Sequence, residues 1–267
     1  MAVRGERGRG LGARRLKAIV IGAGRGRRLM PLTENEPKCF APLAGKRIID
    51  WILDALAAGG FRGKDVVFVG GYLLPVIKRE YPDLTYVENA EWERNNILAS
   101  LFCAEDFMQD GFVCTYADIL YRPFAVERAM ASPHEITLVV DTDFRSRYRH
   151  RSMHPETDAE KVRADGERIT EVSRLISAEE ASGEYIGVAR FTPDGAAALR
   201  EHYHRVLRQV GPDQPFQGAA SFRTAYLIHL FQDMLQRGVA FHRVNTHGEY
   251  HEIDTTEDYA LAQSQWT

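Results

Sequence analysis

The sequence predicts an α/β fold built on a largely parallel sheet, and two observations carry that prediction. From Lys17 onward, short apolar and β-branched runs closed by glycine alternate with stretches whose apolar residues recur at helical spacing, the pattern of repeated strand–helix units. The chain is also large and apolar enough to bury such a sheet, with 45% apolar residues among 267, while no apolar run approaches the roughly 20 residues needed to span a membrane.

The elements follow in order. Ala18–Ile21 is β-branched and ends in glycine, which predicts a buried strand. Over Ile48–Ala58 the spacing of Ile49, Ile52, Leu53 and Leu56 predicts a helix, and Gly59-Gly60 stops it. Val66–Val69 predicts a second strand, Asn96–Ala104 a helix, Phe112–Tyr116 a strand ending just before Asp118, and Ile136–Val140 another strand. The stretch Asp141–Glu160 breaks the pattern: it is rich in arginine and histidine, poor in apolar residues, and reads as a loop or lid. Lys161–Asp165 and Arg168–Val172 flank Asp165-Gly166, a hairpin signal. Tyr185–Phe191 reads as a strand, and Thr192-Pro193-Asp194 opens a helix with proline where a first turn accepts it. Leu227, Leu230, Phe231 and Met234 stripe a helix that Gly238 closes, Val239–Val244 is a strand, and Thr255 or Thr256 caps a last helix.

Composition excludes some function classes. A net charge of -3 argues against nucleic-acid binding through global charge. Cys39, Cys103 and Cys114 form no CxxC pair and no zinc spacing, so free thiols in a reducing, cytoplasmic setting are expected. Residues 1–15 carry Arg4, Arg7, Arg9, Arg14 and Arg15 without an apolar segment. They read as a disordered basic tail rather than a secretory signal, or alternatively as a basic flap over an anionic site. Residues 16–267 show no break into two domains.

The first strand runs into Gly22-Ala23-Gly24-Arg25-Gly26-Arg27-Arg28. Glycines there let backbone amides approach phosphate oxygens, although a tight strand-to-helix turn would use them too. The GxGxxG dinucleotide pattern fails in both frames, with Arg27 or Leu29 at the sixth position, and no Gly-Lys-[Ser/Thr] phosphate loop follows. An NAD(P) oxidoreductase is therefore disfavoured.

The segment from Lys17 to Ile49 reads Gly22-Ala23-Gly24-Arg25-Gly26-Arg27-Arg28, Pro31-Leu32-Thr33, Pro37-Lys38 and Gly45-Lys46-Arg47-Ile48-Ile49. In order and spacing this resembles the N-terminal signature of the sugar-phosphate nucleotidyltransferases, with Gly22 where alanine is commoner. The resemblance implies a Rossmann-like three-layer α/β/α nucleotidyltransferase fold with a mostly parallel mixed sheet. It also implies that Gly22, Ala23, Gly24 and Gly26 wrap the nucleotide, that Arg28 contacts its phosphates, and that Lys38 lies between the NTP and the acceptor phosphate. Fixed cations there would stabilise charge that builds on the α-phosphoryl oxygens in the transition state.

Nucleotidyl transfer usually needs Mg²⁺ on hard oxygen ligands. Asp118, after Tyr116-Ala117, resembles the family's central metal carboxylate, with Ala117 beside the nucleotide. Tyr250-His251-Glu252-Ile253-Asp254-Thr255 resembles the segment in which Asp254 completes the metal site and Glu252 assists it. Asp254 could instead begin a helix cap.

The resemblance also extends to substrate choice. Gly70-Gly71-Tyr72 matches a position where the backbone meets the base, so Gly71 and Tyr72 are expected at the nucleotide. Asn95-Asn96-Ile97-Leu98-Ala99-Ser100-Leu101 resembles a segment of the phosphocholine cytidylyltransferase-like branch. It points to CTP and to Asn96 as a nucleotide contact, or to a helix cap. Asp141–Val162 and Gly183-Glu184-Tyr185-Ile186-Gly187 resemble the cytidylyltransferases of phosphonate biosynthesis, which implies an acceptor such as phosphonoformate, hydroxyethylphosphonate or aminoethylphosphonate. A compact anion needs cations: Lys161 is the expected principal acceptor contact, supported by Arg147, Arg151 and His154, with Glu184 nearby, while a solvated charged loop is the alternative.

The sequence thus implies a Mg²⁺-dependent cytidylyltransferase using CTP and a small anionic phosphonate or phosphate, with no nucleic-acid or membrane partner. Phosphocholine and sugar-phosphate transfer are alternatives on the same fold. A non-catalytic nucleotide sensor is disfavoured by the joint presence of Arg28, Lys38, Asp118 and Asp254. A nucleic-acid module built on the tail would show salt-sensitive binding.

Overall fold

The computed structural model describes residues 16–149 and 151–267. The tail anticipated over residues 1–15 lies outside the described residues. The chain runs through β1 (Lys17–Gly22), a short ribbon of β2 (Pro42–Leu43) and β3 (Lys46–Arg47), α1 (Ile48–Ala58), β4 (Val66–Gly70), α2 (Leu74–Glu80), β5 (Thr85–Glu88) and α3 (Ile97–Cys103). It continues through β6 (Phe112–Tyr116), β7 (Ile119–Tyr121), α4 (Phe124–Ala131), β8 (Ile136–Asp141), α5 (Phe144–Tyr148), β9 (Lys161–Asp165) and β10 (Arg168–Val172). Then come β11 (Gly183–Phe191), α6 (Pro193–Gln209), α7 (Leu227–Gln236), β12 (Phe241–Thr246), β13 (Tyr250–Glu252) and α8 (Thr256–Gln265).

One nine-stranded mixed sheet has the order β5-β4-β1-β6-β11-β8-β12-β10-β9. Strands β5, β4, β1 and β6 are mutually parallel, and β8 and β12 are parallel. Strand β11 is reversed between β6 and β8. This is the three-layer α/β/α nucleotidyltransferase architecture. Helices α1 and α4 pack together, while α7 packs with α3 and α6. Both faces of the central strands are covered, so β1, β4, β6 and β8 are buried almost along their lengths. They therefore read in sequence as continuous apolar runs rather than as alternation.

Capping fixes the ends of the predicted helices. Thr192 Oγ1 accepts from Gly195 N at 3.1 Å at the start of α6. Thr255 Oγ1 accepts from Asp258 N at 3.2 Å at the start of α8, so Thr255 rather than Asp254 is that cap. Gly166 turns the β9–β10 hairpin with φ +56°. Several elements left no usable sequence signal. Helix α2 has seven residues and β5 four, too few for a period to register. Helix α5 lies inside the stretch anticipated as a loop. The three cysteines are free, and no helix of the described residues is long and apolar enough to cross a membrane.

Candidate active site

A cavity of about 590 Å³ opens at the carboxyl edge of the sheet, where β1, β4 and β6 end, the edge at which open α/β sheets bind ligands. Its floor is the glycine loop. Gly22 sits where a Cβ would lie 2.6 Å from Ala117 Cβ and 2.7 Å from the Phe68 ring, so an alanine would not fit in this chain. Gly26 adopts φ +67°, and a Cβ there would lie 2.7 Å from Lys38 Cδ. The absent side chain leaves the lane along which Lys38 reaches the site. Thr33 Oγ1 donates to Gly26 O at 2.8 Å and holds the turn.

Four charged groups anticipated from sequence converge here. Lys38 Nζ lies 2.6 Å from Asp118 Oδ2 and also bonds Asp254 Oδ1. Arg28 bonds the other oxygen of Asp254. Burial works to lower the Lys38 pKa, but Asp118 and Asp254 outweigh it and hold Lys38 above its ordinary value. Burial likewise works to raise Asp254, yet Lys38 and Arg28 bring its carboxyl down to about 2. Two carboxylates thus bracket one cation, from strand-end positions 136 residues apart in a chain that only the sheet brings together.

Glu252, on β13, faces the same cavity. Burial, with Asp254, Asp118 and Glu184 adding repulsion, pushes its carboxyl well above the usual range. His154, expected as an acceptor contact, also lines the cavity. It offers a nitrogen that, with oxygens of Glu252 and Asp254, forms a group within 4.8 Å of one another, a possible metal-ligating set among the described residues. The other ring nitrogen lies 3.2 Å from Asp258 Oδ2, which fixes the ring from behind.

The rest of the expected cationic acceptor cluster is not on the cavity wall. Arg147 is buried and bonds Asp141 and Glu184 through separate guanidinium nitrogens. Arg151 is buried, with Nε 3.0 Å from Asp258 Oδ1 and an Nη donating to Glu252 O at 3.1 Å. Lys161 is 2% exposed; its amine meets Glu156 through both the carbonyl at 3.1 Å and the carboxylate at 2.9 Å. These three cations neutralise acids within the protein fabric. Within the described part of 141–160, Arg147 and Arg151 are thus ion-paired inside the protein, beside the helical turn α5, while Arg145 and Arg149 stay exposed. Buried charges need partners, and every one of these found an acid.

The cavity face at that end carries two carboxyls, Glu160 and Glu184, with Arg174 and the Tyr226 ring among them. Glu160, the neighbour of Lys161, lines it and is 7% exposed. It accepts from Tyr116 Oη at 3.1 Å and lies 3.5 Å from an Arg174 nitrogen. Burial, opposed mainly by Arg174, raises the Glu160 carboxyl to about 7. Glu184 lines the same wall, as expected, accepting from Tyr148 Oη at 2.6 Å in addition to Arg147. The Arg174 guanidinium stacks 4.0 Å from the Tyr226 ring centre. Glu160 stood in a segment already singled out by its sequence, whereas nothing in the sequence marked Arg174 or Tyr226.

At the opposite end, Ala23, Gly24, Tyr72, Asn96 and Ala117 line the cavity as anticipated. Gly71 does not. A Cβ there would lie 2.5 Å from Trp92 Cγ, so its role is to admit the Trp92 ring, which forms the wall instead. Asn96 is also the α3 cap, its Oδ1 accepting from Ile97 N at 2.8 Å.

Comparison with known proteins adds the following. The MobA-like NTP transferase domain family model matches residues 18–181. The CTP:phosphoglutamine cytidylyltransferase of Campylobacter jejuni is 28% identical over 91% of this chain and 97% of its own length. The 2-aminoethylphosphonate cytidylyltransferase of Lancefieldella rimae is 32% identical over 40% of this chain and 44% of its own. In structure, the CTP:phosphocholine cytidylyltransferase of Streptococcus pneumoniae superimposes with a TM-score of 0.70 at 20% identity, over 95% of this chain and all of the other. At that identity the likeness speaks to the fold.

Proposed function

The chain belongs to the MobA-like NTP transferase domain family, and from that premise we propose that it transfers CMP from CTP to a small phosphate- or phosphonate-bearing acceptor, with release of pyrophosphate. The observation that carries this reading is the convergence of Arg28, Lys38, Asp118 and Asp254 over the glycine loop. A phosphate site, two fixed cations and two hard carboxylates within one cavity are what attack at an α-phosphorus requires.

In this mechanism the CTP phosphates lie over Gly22–Gly26. An acceptor oxygen attacks the α-phosphorus, its bond to the bridging oxygen breaks, and pyrophosphate departs toward Arg28. The acceptor oxygen is already ionised near neutral pH, so no side chain needs to take its proton. Lys38 stabilises the charge gathering on the nonbridging oxygens, and the cavity walls hold donor and acceptor in line.

The residues fit a Mg²⁺ ion. Asp118 and Asp254 already bracket one cation, the Lys38 ammonium, and their oxygens are hard ligands. Glu252 and His154, which lie with Asp254 in one group of possible ligand atoms, would complete the set. An ion held there would supply Lewis-acid stabilisation of phosphoryl oxygens.

Cytidine is favoured by the Asn95–Leu101 segment and by the relatives named as cytidylyltransferases. The acceptor wall is of mixed sign, with Glu160, Glu184, Arg174 and Tyr226 facing the cavity. A zwitterionic acceptor would meet both signs there, an ammonium against Glu160 and an anionic oxygen against Arg174, which favours aminoethylphosphonate-like molecules over phosphonoformate. Pyrophosphate release with Mg²⁺, each NTP and a panel of aminoethylphosphonate, hydroxyethylphosphonate, phosphonoformate, phosphocholine and glucose 1-phosphate tests the reading. Release with CTP and an amino-bearing acceptor supports it. Release only with a sugar phosphate would keep the reaction class and overturn the acceptor. No release with any pair would favour the nucleotide-sensor alternative.

A further inference from the structure

Three polar side chains beside the Trp92 wall are joined in a way that the transfer reaction does not explain. Asn89 is 2% exposed. Its Nδ2 donates to Asn95 Oδ1 at 2.8 Å and to Ser100 Oγ at 2.9 Å. Its Oδ1 accepts from Asn95 Nδ2 at 3.0 Å and from Glu91 N at 3.1 Å. Asn95 and Ser100 line the cavity, next to Tyr72 and Trp92, whose ring centres are 5.7 Å apart.

An asparagine amide can ordinarily turn over and exchange its donor for its acceptor. Here two backbone groups forbid it. The Glu91 N–H can only donate, so it requires the oxygen of Asn89. The Ser100 hydroxyl spends its proton on the Asn96 carbonyl at 3.1 Å, so its oxygen can only accept, and it requires the nitrogen of Asn89. With Asn89 held at both ends, the paired amide of Asn95 has one orientation. Asn95 then presents the cavity with one free lone pair on Oδ1 and one free N–H, each at a set place. The adjoining aromatic rings supply a face on which a heterocycle can lie, so this end of the cavity has both a stacking face and a polar edge of fixed sense.

We infer that the Glu91–Asn89–Asn95 relay, locked by Ser100, makes Asn95 Oδ1 a dedicated acceptor for the 4-amino group of cytosine, and so sets the preference for cytidine over uridine nucleotides. Uracil carries a carbonyl at that position; it would place an acceptor against an acceptor that cannot turn over. Asn95 touches the base, and Asn89 is a positioning residue acting through it. The inference rests on the nucleotide-transfer reading for the location of the base.

The test is equilibrium binding of CTP and of UTP, each with Mg²⁺ and without acceptor, by calorimetry on the full chain and on Asn95→Ala and Asn89→Ala. One hydrogen bond exchanged for a clash of acceptors predicts CTP binding about tenfold or more tighter than UTP in the parent. The ratio should fall toward one in both variants. A merely structural role for Asn89 would weaken both nucleotides alike and leave the ratio intact, so an unchanged ratio in either variant overturns the relay. Equal binding of CTP and UTP by the parent, or binding of neither, overturns it outright. If Asn89→Ala does not fold, the parent ratio and the half-exposed Asn95→Ala decide. Absence of pyrophosphate release with every acceptor, alongside an intact binding ratio, would sink the transferase reading and leave this one standing. CTP turnover with a binding ratio of one would do the reverse.

Discussion

The Lys38 ammonium lies 2.6 Å from Asp118 Oδ2 while also bonding Asp254. One lysine therefore occupies the point between the two carboxylates best placed to hold a metal. Under the proposed function, this cation and a divalent ion would compete for the same oxygens, and the nucleotide phosphates would give Lys38 a second partner.

That competition makes Lys38→Ala a two-part test. Turnover should fall by about 10²–10³-fold, the scale of losing one fixed group that stabilises transition-state charge. Mn²⁺ affinity of the nucleotide-free protein, followed by electron paramagnetic resonance, should rise, because Asp118 and Asp254 lose their neutralising partner. Unchanged metal affinity would separate Lys38 from the metal site.

Asp118→Asn should abolish turnover without a comparable loss of stability, since Asp118 keeps a partly exposed side chain at a cavity wall. Thermal melting and pyrophosphate release on the same preparation check it. Retained activity would remove Asp118 from the metal set.

Arg147→Met should destabilise the protein by about 3–5 kcal/mol, because it strands the buried carboxylates of Asp141 and Glu184. Lys161→Met should likewise register in urea denaturation rather than in the acceptor KM. A selective rise in acceptor KM with unchanged stability would return Lys161 to the acceptor site.

Glu160 gives a pH signature. Burial, opposed by Arg174, raises its carboxyl to about 7. Below that pH it is neutral and above it anionic. The apparent KM for aminoethylphosphonate should therefore improve as pH rises through about 7, and Glu160→Gln should remove that step. Hydroxyethylphosphonate, lacking the ammonium, reports the ionisation common to both acceptors and CTP. The stability sign is opposite: a raised carboxyl pKa contributes stability below its unfolded value and loses it as pH rises through about 7. Glu160→Gln should then be at least as stable as the parent at pH 8. A step that persists in Glu160→Gln would assign it to another group.

Local information was enough for much of the molecule. Buried strands betray themselves as β-branched runs closed by glycine, and the helix over Ile48–Ala58 follows from its apolar spacing. The hairpin at Asp165-Gly166 follows from turn chemistry. The glycine loop, Lys38, Asp118 and Asp254 were singled out by their resemblance to a family signature, and the fold brings them to one cavity.

What only the tertiary structure decided is which charges remain free. Arg147, Arg151 and Lys161 looked like a receptor for an anion, yet each is paired with an acid in place; one of the two acids that meet Arg147 is Glu184, 37 residues away. Trp92 replaced Gly71 at the cavity wall because of a packing contact with no local signature. The residue type and spacing of a charge are properties of the sequence, but its electrostatic effect depends on burial and on partners brought close by the fold. A cation count along the chain therefore cannot say which cations face the cavity: Arg147, Arg151 and Lys161 do not line it, and Arg174 does.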